Sequence, residues 1–193
     1  MEYFDIVTED GRPTGETVSR EDAHRDGIPH RTAHVWIVRE KEGRTEILLQ
    51  KRSEDKDSFP GLYDTSSAGH IPAGDEPLDS AIRELREELG MTASPEEPSY
   101  AGNFHIRYDK VFHDQPFRDN EVVSVYVLTR PVDSFTLQES EVSEVRWFDL
   151  EEVWNEIVSG DRHRFCVPTA GLSTLKAWIR NNKRSKVPQN ARA

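Results

Sequence analysis

Between Gly69 and Met91 the chain spells out a helix with both ends marked, and this stretch constrains the fold more than any other. Pro77 stands in the first turn, where a missing N–H costs nothing, and Gly90 stands just past the last turn. Between them Leu78, Ile82, Leu85 and Leu89 recur at helical spacing and make one apolar face. Glu84, Glu87 and Glu88 fall at i, i+3 and i+4, so their carboxylates gather on another face. Three clustered anions repel one another, and a surface helix has no structural use for them. A hard divalent cation such as Mg²⁺, which prefers oxygen ligands, relieves that repulsion.

The rest of the sequence offers such a helix one domain to pack into. At 193 residues the chain is long enough for a single real core. Only 35% of residues are hydrophobic against 32% charged, but the apolar ones fall in periodic runs, which favours a folded domain over disorder. A formal charge of −11 argues against nucleic acid or an anionic membrane as partner. Phosphates remain open to an acidic protein when cations bridge the two anions. The one cysteine, Cys166, excludes an internal disulfide and reads as a small core or semi-buried residue. No apolar run approaches a membrane span and no signal-peptide pattern opens the chain, so a cytoplasmic location is expected.

In chain order, residues 1–18 read as a hairpin, with Tyr3 to Val7 as a strand and Asp10-Gly11 as the turn. Arg20 to His30 is polar. Ala33–Arg39, Glu46–Arg52 and Tyr63–Ala68 read as strands, with a charged loop at Ser53–Gly61. Beyond the helix, Tyr100–Tyr108 and Glu121–Thr129 are strands joined by a long loop. Val145–Phe148 is a further strand, Asp149 an N-cap for a helix through Val158, and Pro168–Arg180 a last amphipathic helix. One domain over residues 1–180 is expected, with 181–193 as a flexible basic tail. This order gives an α+β fold, a mixed sheet with helices packed against it.

The residues Gly69, Asp75, Arg83, Glu84, Leu85, Glu87, Glu88, Gly90 and Met91 resemble the Nudix box. The departure is Asp75, where that family usually has glutamate. The resemblance implies a Nudix-type α/β/α sandwich with a mixed β-sheet and the box helix on one face. It implies Mg²⁺, with Mn²⁺ as the alternative, held by Glu84, Glu87, Glu88 and the Gly69 carbonyl. Glu87 and Glu121 are both candidates for the catalytic base, and Arg83 is read as the residue that orients a box carboxylate. The expected partner is a small-molecule diphosphate. Oligomeric state stays open, although Nudix enzymes often pair as homodimers through sheets or N-terminal segments such as residues 1–18.

A second resemblance covers roughly residues 2–158. Arg20-x-x-x-His24, His30, Arg52-x-x-x-Lys56, Gly69-His70 and Asp119-Asn120-Glu121 are similar to spaced motifs of isopentenyl diphosphate isomerases. That likeness implies a second metal site at His24, His30, His70, Glu121 and Asp119, the last usually glutamate in that family. It also implies diphosphate-binding roles for Arg52, Lys56 and Arg83. The isomerases, however, place a catalytic cysteine where this chain has Ala68, which cannot move a proton. The box is also intact, so the chain resembles an isomerase-like branch of Nudix hydrolases. The expected function is Mg²⁺-dependent cleavage of a diphosphate linkage in a nucleoside diphosphate derivative or related organic diphosphate. The competing readings are an isomerase with a relocated proton donor and a non-catalytic diphosphate sensor. Among other side chains, His34 reads as packed, His105 and His113 are candidates for a pocket wall, and most aromatics read as core, with Phe112 and Phe117 the candidates to meet a base or isoprenoid tail.

Overall fold

The computed structural model describes residues 1–185 except 57, 113, 133, 161 and 162, and excepting also the side chains of 184 and 185. Thus His113 and the segment 186–193 lie outside the described residues. The expected hairpin is present, β1 (Tyr3–Val7) against β2 (Pro13–Ser19). It runs into α1 (Arg20–Asp26), a short helix that the polar composition concealed. Its punctuation is nonetheless local: the Ser19 side chain accepts from the Asp22 N–H, and Gly27 ends the helix at φ 69°.

The main sheet is built around β3 (His30–Lys41), which pairs in parallel with β8 (Gln115–Leu128) and antiparallel with β4 (Arg44–Arg52). β3 and β4 stay paired only through Val38–Lys41 and then diverge like the arms of a V. The chain fills the gap with β5 (Tyr63–Asp64) on β4 and β6 (Ser67–His70) on β3. The expected single strand Tyr63–Ala68 is therefore broken at its middle. Ser66 sits at the apex, its Oγ donating to the Leu48 carbonyl at 2.6 Å and accepting from the Ile37 N–H at 2.8 Å. One hydroxyl thus satisfies the two buried backbone groups that the divergence leaves unpaired.

Side chains alternate across the sheet with period two. Ala33, Val35, Ile37 and Leu48 face α2 (Pro77–Leu89), while Trp36, Val38, Ile47 and Leu49 face α3 (Leu150–Ser159) and α4 (Thr169–Ser185). The result is an α/β/α sandwich with the box helix alone on one face, as expected. Leu85 and Leu89 of α2 are fully buried, each contributing about 2 kcal/mol. The helix end is pinned as well: Thr136 and Gln138 donate backbone N–H groups to the Leu89 and Glu88 carbonyls, both at 3.0 Å.

Two expectations are corrected. Residues 109–112 and 115–120 are strand and not loop, because β7 (Ser99–Phe112) and β8 pair out to Phe112 and Gln115. The outer half of this arm is largely exposed, so no hydrophobic alternation marks it as strand. The last helix also continues past Arg180 to Ser185, with Lys183 reaching Glu40 at 3.0 Å and Thr45 at 3.1 Å. The final strand, β9 (Val142–Asp149), pairs with β4, and the Asp149 carboxylate caps α3 as its sequence indicates.

Candidate active site

Strand β6 delivers the box to the sheet. Gly69 pairs with Ala33, and the Glu84 carboxylate lies where a Cβ on Gly69 would be. Only glycine leaves that space open. Glu88 is buried beneath the same strand and accepts from Ser67 Oγ at 2.7 Å, Ala68 N at 3.2 Å and Gln50 Nε2 at 3.3 Å. Burial pushes its carboxyl up to about 7 despite these donors. Burial raises Glu84 too, with the charge of Glu87 adding to it and Arg83 opposing.

Arg83 holds the exposed side of this cluster together. Its NH1 reaches Glu84 at 2.8 Å and Glu87 at 3.1 Å, and its NH2 donates to the His70 carbonyl at 3.1 Å. Asp75 and Glu76 are exposed, and the Asp75 carbonyl accepts from Arg31 at 3.1 Å. The box arginine therefore orients glutamates and not the acid at position 75.

On the other flank of β6, one ligand atom each from His24, His30, His70 and Glu121 lies within 4.8 Å of all the others. Three separate parts of the chain converge here: α1, the parallel pair β3–β8, and β6. His24 Nδ1 is 2.9 Å from the Arg20 carbonyl and His30 Nδ1 is 2.8 Å from the Ile28 carbonyl. Both rings thus donate through Nδ1 and turn Nε2 lone pairs inward. Phe4 stacks on His70 (4.6 Å, 4°) and His30 (5.0 Å, 17°), while Phe117 stacks on His24 (4.4 Å, 27°). Asp119 Oδ1 lies 3.9 Å from His24 Nε2 and from His30 Nε2.

The electrostatics suit a cation. Burial lowers His30 to about 4 and takes His70 well below its usual value, with Arg20 adding to the latter. Burial also raises Asp119 to about 6 and Glu121 well above the carboxylate range, where Asp119 adds like-charge repulsion. Two atoms, His30 Nε2 and Asp119 Oδ1, are buried with no hydrogen-bond partner. Neutral imidazoles, repelling carboxylates and orphaned lone pairs are together what a divalent cation satisfies, so the residues fit one.

Both clusters open into one cavity of about 840 Å³. The expected cations line it but are already engaged: Arg52 donates to the Ser58 carbonyl at 2.8 Å and lies 3.4 Å from Asp64, and Lys56 pairs with Glu141. Phe117 lines the cavity, whereas Phe112 packs edge-on against Phe59 at 5.1 Å. His105 is exposed, and His34 is buried against Thr65 and Phe104 as a packed residue. Cys166 is half-buried, within the expectation of a core or semi-buried residue, but its place at the site had no sequence signal. It lies on the cavity wall, its Sγ 3.5 Å from the Tyr63 carbonyl, with burial and the nearby Asp64 raising its thiol well above the usual value. A bridge between Tyr63 and Phe165 brings it there, a contact 102 positions apart that no local signal announces.

The NUDIX domain family matches residues 28–166, which takes in the whole box helix and the sheet that carries it. The chain belongs to the Nudix family. Nudix hydrolase 3 of Arabidopsis thaliana is 44% identical over 164 residues, covering 83% of this chain. This chain spans only 21% of that protein's length. The uncharacterized Nudix hydrolase YfcD of Escherichia coli is 34% identical over 192 residues, covering 100% of this chain and 94% of its own. Among solved structures, DR0079 of Deinococcus radiodurans superposes with a TM-score of 0.66 at 17% identity, covering 91% and 98% of the two chains. A C. elegans Ap4A hydrolase superposes at 0.54 with 21% identity, covering 78% and 98%. These two likenesses concern the Nudix fold. Phe4, Arg20 and His24 precede the matched region, so the hairpin and α1 add a wall to the Nudix site.

Proposed function

We propose that this Nudix chain is a divalent-cation-dependent hydrolase of a diphosphate linkage in a nucleoside diphosphate derivative or a related organic diphosphate. The observation that carries the reading is that strand β6 joins the box carboxylates and the histidine–carboxylate cluster in one cavity. The names of the Arabidopsis and E. coli relatives support hydrolysis as the reaction class. Glu84, Glu87, Glu88 and the Gly69 carbonyl offer oxygen ligands suited to Mg²⁺ or Mn²⁺. His24, His30, His70 and Glu121 offer a nitrogen-rich set suited to a transition ion, in keeping with the isomerase-like motifs. When bound, such cations neutralise phosphoryl charge and make water more acidic.

The chain's own residues supply the rest. Arg83 holds Glu84 and Glu87 against their mutual repulsion. Arg52 and Lys56 present positive charge to a diphosphate, with Lys56 exchanging Glu141 for a phosphate oxygen. Glu87, on the open side, and Glu121, on the histidine side, are the two bases able to take a proton from water. A panel of nucleotide sugars, dinucleoside polyphosphates, NADH, coenzyme A and isoprenoid diphosphates, with Mg²⁺ or Mn²⁺, tests the reading. The expected result is two phosphorylated products from at least one class, abolished in Glu88→Gln. No turnover of any class would overturn it.

A second reading rests on Cys166. Ala68 removes the thiol an isomerase needs, but the cavity has another thiol in its wall, kept neutral by burial. A neutral thiol gives a proton to one carbon while a carboxylate such as Glu121 takes one from another, so a double bond moves with no net change in composition. Deuterium from solvent then enters isopentenyl diphosphate, and Cys166→Ala stops it. Absence of exchange in the native chain dismisses this reading.

A further inference from the structure

Three hydrogen bonds form a closed ring around the histidine cluster, and simple chemistry fixes their direction. Arg20 NH1 lies 3.3 Å from His70 Nδ1. A guanidinium has no lone pair to offer, so Arg20 donates and His70 Nδ1 accepts. Neutral His70 then carries its proton on Nε2, which lies 3.2 Å from His24 Nε2. His24 Nδ1 faces the backbone carbonyl of Arg20, an acceptor, so His24 donates there and leaves Nε2 to accept from His70. The ring runs from the Arg20 side chain through His70 and His24 back to the Arg20 backbone, with every donor facing an acceptor.

This order conflicts with ligation by His70. A cation takes the Nε2 lone pair, which exists only when the ring proton sits on Nδ1. On Nδ1 that proton would face the Arg20 N–H, donor against donor. We propose that Arg20 gates the histidine site: its guanidinium holds His70 in the tautomer that refuses a cation, and binding requires Arg20 to withdraw from Nδ1. The proposal rests on the reading that His24, His30, His70 and Glu121 bind a divalent cation. Glu2 Oε2 already holds the same NH1 at 3.0 Å, so a carboxylate stands beside Arg20 to accept a hydrogen bond from the His70 Nδ1–H once the guanidinium withdraws. The Arg20 side chain is 44% exposed, so its withdrawal opens no core. His30 has no such gate, since its Nδ1 is fixed on the Ile28 carbonyl. Arg20 and Glu2 both precede the region that the Nudix family matches, which makes the gate a feature of the added N-terminal wall.

Two measurements on the full chain test the gate, with Zn²⁺ as the probe. In ¹⁵N–¹H imidazole correlation spectra of metal-free protein, the His70 proton is expected on Nε2, moving to Nδ1 as Zn²⁺ is added. In Arg20→Met, Zn²⁺ affinity measured against a chromophoric chelator is expected to tighten about tenfold, the scale of one charge-assisted hydrogen bond. That gain should persist in about 0.5 M KCl, where the mere removal of an exposed charge is screened. A proton on Nδ1 before metal is added, an unchanged affinity, or a gain that vanishes with salt would each overturn the gate and leave the cation reading standing. Failure of the cation reading looks different, because Zn²⁺ then binds native chain and His30→Gln equally weakly, and the gate falls with it.

Discussion

The Glu84 carboxylate occupies the space that a Cβ on Gly69 would fill. The two residues are 15 positions apart on different elements, and the glycine's missing side chain is what lets α2 bring its first box glutamate onto β6. Gly69→Ala is therefore expected to spare the fold and damage the site, because the atoms in the way are the far end of a flexible side chain. A shift of the carboxylate by about 1 Å costs on the order of a hundredfold in turnover. Turnover and thermal midpoint measured together check this: kcat should collapse while the midpoint moves by no more than about 4 °C. An active Gly69→Ala would show that Glu84 has no part in the chemistry.

His34 gives the stability a pH dependence of known sign. Burial lowers its pKa from 6.5 to about 4, so between these values the unfolded chain binds more protons than the folded one. Its contribution is fully present above the unfolded value and is lost as pH falls through the window, by up to about 3 kcal/mol. Urea unfolding of metal-free native chain and His34→Gln at pH 4.5 and 7.5 isolates the term. The acid loss should be smaller in the variant; equal losses would assign the acid sensitivity to other groups.

Arg52 and Lys56, adjacent in motif, should separate in experiment. The Arg52 side chain is 15% exposed and its partner Asp64 14%, so Arg52→Ala takes the cation from a half-buried carboxylate that keeps the Thr65 N–H at 2.8 Å, and costs about 2 kcal/mol. The Lys56–Glu141 pair is more exposed, and Lys56→Ala should leave stability within about 1 kcal/mol. For turnover on a diphosphate, Lys56→Ala should raise KM about tenfold with kcat little changed, as loss of one charge-assisted phosphate contact implies. A KM equal to the native value would remove Lys56 from the binding site.

What was legible in the sequence follows from what is local. Pro77 and Gly90 bound α2 correctly, and its glutamates pointed to the chemistry, because one helix carries all of that information. Ser19 and Gly27 marked α1 equally well, but a seven-residue helix with no apolar period is easy to pass over. The β7–β8 arm hid because most residues of its outer half are exposed, and the face that meets the histidine cluster carries Asp119 among its aromatics. His24, His30, His70 and Glu121 are far apart in the chain, so only resemblance to spaced motifs could group them, and only the fold could bring Cys166 to the same cavity. Direction of hydrogen bonding, as between Arg20 and His70, has no sequence signature at all.

Ser66 links the fold to the site most directly. Its hydroxyl serves the Ile37 N–H and the Leu48 carbonyl at the point where β3 and β4 part, and β6 begins at the next residue. Ser66→Ala leaves both buried groups unpaired, at a cost of about 2–4 kcal/mol. In a chain of this size that lowers the thermal midpoint by about 5–15 °C. The loss should reach the chemistry, since Gly69 and His70 sit on β6 within four residues of the apex. Urea unfolding gives the first number, and Zn²⁺ affinity of the histidine cluster, measured where the variant is still folded, gives the second. Native stability in Ser66→Ala would mean that the two strands close up without the serine, and that β6 is held by its pairing to β3 alone.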